Sequence, residues 1–566
     1  MSRSFGTASN ILQTIGIAGQ IVSGCLDGFS AWQTASNLGR DAIELQIRLE
    51  WTRGRLEMWG RDWGLEQGDH LKDPRFRHSG MMALNHLVYI NFCLEDFESM
   101  DDIFPTLSEA GLYATTPAVS LARLSKSAGV TADEMEALRL KLSKLQTDAG
   151  KKERIRWALQ EGRALKVAET VKAMVEDLYT HFPPPVAAEV TPIISNKYLI
   201  SDSLESLDAV SDSSTADPTL AALCAIKAEK IRTELKERTQ KLRTEDPFLK
   251  ANRLDATDRQ IVVNGKWVGG LREDGVRYAI PVLVEEKQIP QLVLADSSSD
   301  VRIQNVARLL SMKDKPTELR TLDCVGVTIS RDQETMYRFV HELKAKHAFT
   351  LTHLLRTPTR ENILGCHRDK WALEKKFALA RQLARAVLYL HLAGWLHKGI
   401  RSNNVVFCAD REDAVDLSEP FLVGFEYSRA EAARFETETV VVADDADNAF
   451  RHPDTQGVPT ERGQYQRAFD VYSLGMVLLD IGSKRSVGNL RTKFVATTNT
   501  PSAPGFRDWL LREAIDSDVT GLAARVGSVY TEVVKTCLKG TPVTSKAEFS
   551  TAFYVSILRP LQLCKV

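Results

Sequence analysis

The sequence predicts a multidomain chain, with an N-terminal α-helical bundle followed by a C-terminal α+β domain of two lobes. Three observations carry this prediction. Residues 1 to about 182 place apolar side chains at intervals of three and four, the repeat of a helix face. After Asp255 the pattern changes to short runs with strand character, interrupted by one helical stretch. Beyond Phe349 the helical period returns, and a length of 566 residues exceeds what a single hydrophobic core supports.

In the first part, Ile11, Ile15, Ala18, Val22 and Leu26 repeat along one helix, inside a stretch from Ser4 to Leu26 that contains no charged residue. That length could span a bilayer, but Asn10, Gln13, Thr14 and Gln20 interrupt it, and it lacks the basic start and compact apolar core of a signal peptide. It reads as a buried helix of the bundle. The next helix carries Leu45, Leu49, Leu56, Trp59 and Trp63 on one side. Others are expected near Met82–Phe97, Ala132–Leu145 and Ile155–Leu178, before Pro183, Pro184 and Pro185 end the bundle, because proline lacks the N–H and clashes with the preceding turn. The bundle is therefore assigned to residues 1–185.

Residues 186–218 have the Ser/Asp-rich, aperiodic composition of a disordered linker. Residues 219–250 form a basic connecting helix, with seven basic and three acidic residues between Lys227 and Arg243, expected to be a solvated brace. The α+β domain takes residues 256–566, with a small lobe at 256–348 and a large lobe at 349–566. Its strands are expected at Gln260–Val263, Arg277–Glu285, Arg320–Ile329 and Tyr337–Glu342, with a helix at Val301–Met312.

Lys and Arg total 73 against 74 Asp and Glu, so no global field draws the chain to nucleic acid. The eight cysteines are scattered without a C-x-x-C pair, which fits reduced thiols rather than a zinc site or a disulfide framework. No metal site is expected.

The motif-bearing segments lie in the second part. His391-Leu-Ala-Gly-Trp-Leu-His397-Lys-Gly399-Ile-Arg-Ser-Asn-Asn404-Val-Val-Phe407 follows a long apolar helix. It resembles the protein-kinase catalytic loop, H-R-D-L-x-x-x-N, with His397 and Asn404 at its two ends. Gly399 stands where the resemblance places the base that accepts the substrate proton. Phe421-Leu-Val-Gly424-Phe425-Glu426 takes the place of D-F-G, with Gly424 for the magnesium-binding Asp and Phe425 keeping the packing position. Glu426 is the nearest remaining carboxylate but points out of register. Pro281-Val-Leu-Val-Glu285-Glu-Lys287 resembles V-A-I-K, with Glu285 where the phosphate-pairing Lys belongs and Lys287 of the same parity. The stretch Val263-Asn-Gly265-Lys-Trp-Val-Gly269-Gly270 is not a G-x-G-x-x-G loop. Asp470-Val-Tyr-Ser-Leu-Gly475 resembles the start of the helix that braces the catalytic loop, and Arg451-His-Pro453-Asp454 resembles the A-P-E segment. The resemblance thus implies a pseudokinase: a protein-kinase-like fold whose braces, Asp470, Gly475, Pro453 and Asp454, remain while its phosphotransfer groups are lost. No cofactor is expected; residual ATP and magnesium binding would fall to Lys287 and Asn404.

In the first part, Phe5-Gly6, Leu38-Gly39-Arg40-Asp41, Leu49-Glu-Trp-Thr-Arg53-Gly-Arg55-Leu56-Glu-Met-Trp59-Gly60 and Ile155-Arg-Trp157-Ala-Leu159 resemble the fungal HeLo domain of het-s-type prion-inhibition and propagation proteins. That resemblance implies a membrane-active executioner of programmed cell death, whose uncharged N-terminal segment (Ile11, Ile15, Val22 and Leu26) is released from the bundle. A helical effector, a brace and a pseudokinase share the layout of mixed-lineage-kinase-like necroptosis effectors, a likeness of layout alone.

The leading expectation is a cytoplasmic, non-catalytic cell-death or heterokaryon-incompatibility-type effector, regulated by its pseudokinase and recruited to the plasma membrane on activation. Its partners would be membrane lipid, other copies of itself and an unidentified upstream protein. Two alternatives stand beside it. A protein-binding signalling scaffold would form complexes without a lipid effect. An atypical active kinase using Lys287, Asn404 and Glu426 would show magnesium-dependent ATP turnover.

Overall fold

The computed structural model describes residues 22–29, 40–63, 65, 83, 86–91, 93–94, 163–182, 199, 203–213, 217–239, 254–263, 265–271, 280–289, 298–331, 335–356, 371–425, 428–430, 445–456, 465–515, 521–540 and 546–565. The chain divides into two compact units. One comprises Met1–Tyr198 with Asp212–Pro218, the other Leu199–Ser211 with Thr219–Val566.

The N-terminal unit is helical. Helix α1 covers residues 22–29, α2 is Arg40–Asp62, α3 lies at residues 86–91, and α4 is Arg163–His181. Their apolar faces meet in a core that includes Val22, Cys25, Phe29, Leu56, Trp59, Trp63, Leu87, Leu94, Val171 and Leu178. Each large side chain buried this way contributes about 1.5–3 kcal/mol. Polar contacts fix the pairing of α2 with α4. Arg55 bonds Glu176 at 2.8 Å and stacks over Tyr179, and the indoles of Trp59 and Trp63 both donate to the Phe182 carbonyl, at 2.9 and 3.2 Å. Two glycines let α1 approach α3 and the residues after it. A Cβ on Gly24 would sit 3.3 Å from Asn91 Nδ2, and one on Gly28 would sit 3.0 Å from Leu94 Cβ. Ile11 and Ile15, the helix expected at Ala132–Leu145 and residues 155–162 of the helix expected at Ile155–Leu178 lie outside the described residues.

The C-terminal unit begins with a helix pair, α5 (Leu204–Ser211) and α6 (Pro218–Thr239). Helix α5 falls within the segment expected to be a disordered linker. It is ordered because Leu207 and Val210 are buried, an apolar pair at i and i+3 amid the polar residues. Helix α6 is not the fully solvated brace expected either. Lys227 and Lys230 are buried, Lys227 Nζ donates to the Leu199 carbonyl at 2.8 Å, and Arg232 pairs with Asp208 of α5.

A five-stranded antiparallel sheet follows, built from β1 (Leu254–Val263), β2 (Lys266–Leu271), β3 (Ile280–Ile289), β4 (Cys324–Arg331) and β5 (Thr335–Glu342) in the order β1-β2-β3-β5-β4. Helix α7 (Ser298–Ser311) connects β3 to β4. Strand β2 has no counterpart in the sequence expectation, which treated that stretch as a failed phosphate loop. Val263 pairs with Lys266 across a two-residue connection, and Gly265 adopts φ +76°, so the segment is a tight hairpin. One sheet face carries Trp267, Val282, Val284 and Val340. The other carries Val268, Leu283 and Leu343 and packs on Val406 and Val423.

The remainder is mostly helical. Helix α8 (Leu351–Arg356) follows β6 (His347–Thr350), and α9 (Leu373–Leu392) runs through the core. Short strands β7 (Trp395–Leu396), β8 (Val405–Ala409), β9 (Phe421–Leu422) and β10 (Arg429–Ala430) surround the loop after α9; β6, β8 and β9 form one small sheet, β7 and β10 another. Helices α10 (Arg467–Ser483), α11 (Val487–Thr498) and α12 (Ala523–Lys539) follow.

Candidate functional site

The loop between β7 and β8 is held from below by α10. Gly394, at φ +79°, ends α9 and turns the chain into β7. From the first turn of α10, the fully buried Asp470 carboxylate accepts four hydrogen bonds: from His397 N at 2.8 Å, Lys398 N at 2.9 Å, Tyr465 Oη at 2.9 Å and His391 Nε2 at 3.1 Å. Lys398 takes a left-handed φ of +63°, a conformation an L-residue adopts at a cost, and its amide is one of those Asp470 holds. Burial pushes the Asp470 carboxyl up, but the bonds from His391 and the charges and amide of the loop outweigh it and hold the acid below its usual range.

His397 stays inside this frame. Its Nδ1 accepts from Gly399 N at 3.2 Å, its carbonyl accepts from Ser428 Oγ at 2.9 Å, and its ring lies 4.4 Å from that of Phe425. Phe425 is buried.

Three residues assigned to the phosphotransfer positions, Gly399, Asn404 and Gly424, are brought into mutual contact. Asn404 Nδ2 donates to the Gly399 carbonyl at 2.7 Å, while the Asn404 carbonyl accepts from Val423 N at 2.9 Å. A Cβ at Gly399 would lie 2.8 Å from the Gly424 carbonyl oxygen. One at Gly424 would lie 2.0 Å from Asn404 Nδ2, and Gly424 has φ +88°. Glycine at both positions is therefore a packing requirement of this loop, and the Asn404 amide occupies the space a carboxylate at 424 would need. Glu426 lies outside the described residues.

The sheet adds a second group of residues to this place. Glu285 on β3 is buried, and its Oε2 accepts from Gly424 N at 2.6 Å. Lys266, directly opposite on β2, places Nζ 3.6 Å from the same oxygen, and His341 on β5 places Nε2 2.9 Å from Oε1. Burial raises the Glu285 carboxyl, yet the His341 bond, the Lys266 charge and the Gly424 amide together hold it below the ordinary carboxylate range. Lys287, two residues along β3, is buried and paired in register with Tyr337. Neighbouring Glu286 pairs with Arg338 at 3.0 Å and Arg259 at 3.3 Å.

The other brace residues fall nearby on the same unit. Pro453 is buried and opens a short 3-10 turn, Asp454 is exposed, and the ring of the preceding His452 stacks on Phe469 of α10. Gly475 lets α10 touch α12, since a Cβ there would be 2.5 Å from Cys537 Cβ. Sequence reasoning missed a further tie. Ser402 Oγ donates to Asp480 of α10 at 2.5 Å, and Val487 N donates to the same carboxylate at 2.6 Å. Burial pushes this acid up to about 7, with the two bonds only partly opposing it. It also missed the partners of Glu285. The Asn264-Gly265 pair was the available signal, because Asn-Gly between apolar runs marks a hairpin and would have set Lys266 opposite Glu285.

In the N-terminal unit, Val22 and Leu26 of the expected membrane-active segment are part of the core or packed on it, beside Cys25, whose Sγ donates to the Leu87 carbonyl at 3.3 Å. Among the described residues no helix is long and apolar enough to cross a membrane.

Comparison with known proteins bears on the N-terminal part. The chain is similar to Heterokaryon incompatibility protein s of Podospora anserina, 23% identical over 255 residues, which are 42% of this chain and 83% of that protein. Residues 12–211 match the family described as HeLo, prion-inhibition and propagation, so the helical N-terminal region is HeLo-like.

Proposed function

We propose that this chain is a non-catalytic effector of the heterokaryon-incompatibility or cell-death type, in which a kinase-like C-terminal unit without phosphotransfer chemistry regulates a HeLo-like unit that acts on membranes. The observation that carries the non-catalytic part is the interlock of Gly399, Asn404 and Gly424. Phosphoryl transfer needs a carboxylate to take the hydroxyl proton and another to hold magnesium against the phosphates. Glycine occupies both assigned positions, and the packing around Asn404 leaves no room for an acid at 424. The effector part rests on the HeLo match and on the likeness to the Podospora protein. The storage of Val22 and Cys25 in the bundle core, with Leu26 packed on it, supports a resting state in which the end of the uncharged segment is withheld.

A bundle of this kind switches only if an activator binds one arrangement better than the other. Recruitment to the plasma membrane and self-association belong to the same proposal, since Asn10, Gln13 and Gln20 would favour partner helices over lipid. The test is dye release from anionic liposomes by residues 1–198 beside the full-length chain. Leakage by the fragment alone is the expected result. No leakage by either, even after forced dimerisation, refutes the membrane activity and favours the scaffold. Magnesium-dependent ATP turnover lost in Asn404→Ala refutes the non-catalytic assignment.

A further inference from the structure

The cluster around Glu285 has the composition of an oxyanion site. An ammonium (Lys266), an imidazole (His341) and a glycine backbone N–H (Gly424) come from β2, β5 and the segment after β9, and they converge on two oxygens within 2.6–3.6 Å. A cation beside an N–H at a residue of positive φ is a donor set suited to phosphate or carboxylate. Lys266, Glu285 and His341 side chains are all at most 5% exposed. A charge so placed is tolerated only beside a counter-charge, and here the ammonium and the imidazole both lie against the same carboxylate, which also accepts the Gly424 amide. Glu285 also stands where the V-A-I-K pattern puts a phosphate-pairing cation, so the sign of the charge at that position is inverted.

We propose that Glu285 is an internal anion that plugs an oxyanion site formed by Lys266, His341 and the Gly424 amide, and so closes the region between the five-stranded sheet and β8–β9 to phosphate-bearing ligands. A phosphate within reach of Lys266 meets a carboxylate already set against the groups it would need. The plug also fastens β3 to the segment following β9, so the closed arrangement needs no bound nucleotide. This holds whether or not the N-terminal unit acts on membranes, which no arm of the test measures.

The experiment is thermal unfolding of the full-length chain in matched ionic strengths of chloride, formate, inorganic phosphate and pyrophosphate, and in ATP with and without magnesium. The wild-type midpoint is expected to be indifferent to pyrophosphate and ATP. Glu285→Ala is expected to lower the midpoint, which formate or phosphate then raises relative to chloride, because a small oxyanion refills the vacated site. Glu285→Ala with Lys266→Met is expected to lose that anion-specific rise, which separates the site from a general salt effect. Two results overturn the proposal: a wild-type rise in pyrophosphate or ATP that Lys266→Met abolishes, or a folded Glu285→Ala that responds alike to all four anions. Should Glu285→Ala not fold, the wild-type arm still decides. Glu285→Gln, which keeps the shape and drops the charge, must then lower the midpoint as well; an unchanged midpoint refutes the plug.

Discussion

Replacing Gly424 by aspartate restores the carboxylate that a magnesium site would require, and the structure predicts that the chain pays for it in stability without gaining catalysis. The new Cβ would fall 2.0 Å from Asn404 Nδ2 and 2.3 Å from its Cγ, so Asn404 must leave its place. Overpacking of this kind costs about 1–3 kcal/mol. A non-glycine residue at φ +88° adds about 1–2 kcal/mol. Loss of the Asn404 bond to the Gly399 carbonyl adds about 0.5–1.5 kcal/mol. The sum, about 2.5–6.5 kcal/mol, is a large share of the roughly 5–15 kcal/mol that holds a typical domain together. Urea unfolding of the full-length protein, followed through the transition of the C-terminal unit, reads the cost as a lowered midpoint. The decisive comparison is a double-mutant cycle with Asn404→Ala, which empties the contested space. Gly424→Asp should be less damaging in the Asn404→Ala background, with a coupling of about 1–3 kcal/mol. A Gly424→Asp variant that loses under 1 kcal/mol, or a cycle that closes additively, would show that the interlock is not what requires glycine.

Three further perturbations probe other parts of the molecule. Gly28→Leu drives a side chain against Leu94, 3.0 Å from the site of its Cβ, and should destabilise the N-terminal unit by about 1–3 kcal/mol in denaturant titration; on the proposed function it also raises liposome leakage by the full-length chain. Asp470→Asn replaces an acceptor of four bonds by a group that must turn an NH₂ toward backbone donors, and should cost about 2–4 kcal/mol with protease sensitivity appearing near residues 396–404. Asp480 keeps its proton in the folded state up to about 7, whereas the unfolded chain releases it near the ordinary carboxylate value. Its contribution is therefore full below about pH 4 and is lost as pH rises toward 7, a change of a few kcal/mol. Asp480→Asn should flatten the pH–stability curve between those limits, and an unchanged slope would show that Ser402 and Val487 hold an ionised acid.

The helical period of the N-terminal part and the strands after Asp255 could be read from spacing, because each depends on neighbours in sequence; the place of Asp470 came only from a motif resemblance, since its bonds reach back to residues 397 and 398. That glycine stands at 399 and 424 was equally plain. Why glycine in particular stands there was not, since the reasons are the Gly424 carbonyl for one and the Asn404 side chain for the other, reached only after β8 and β9 are paired. The Glu285 plug was hidden for a similar cause. Its partners come from β2 and β5, and without the hairpin at Gly265 there was no register to set Lys266 opposite Glu285. Helix α5 escaped because only two buried residues, Leu207 and Val210, order a stretch otherwise composed like a linker.

The clip of Leu199 and α5 onto α6 decides what a protease can reach in a polar stretch. Lys227 holds the Leu199 carbonyl and Arg232 pairs with Asp208, so a bond within residues 204–211 is cut only when α5 leaves α6. Where that opening is fast and reversible, the cleavage rate reports its free energy. The segment's resistance is then a measure of the helix pair and not of its linker-like composition.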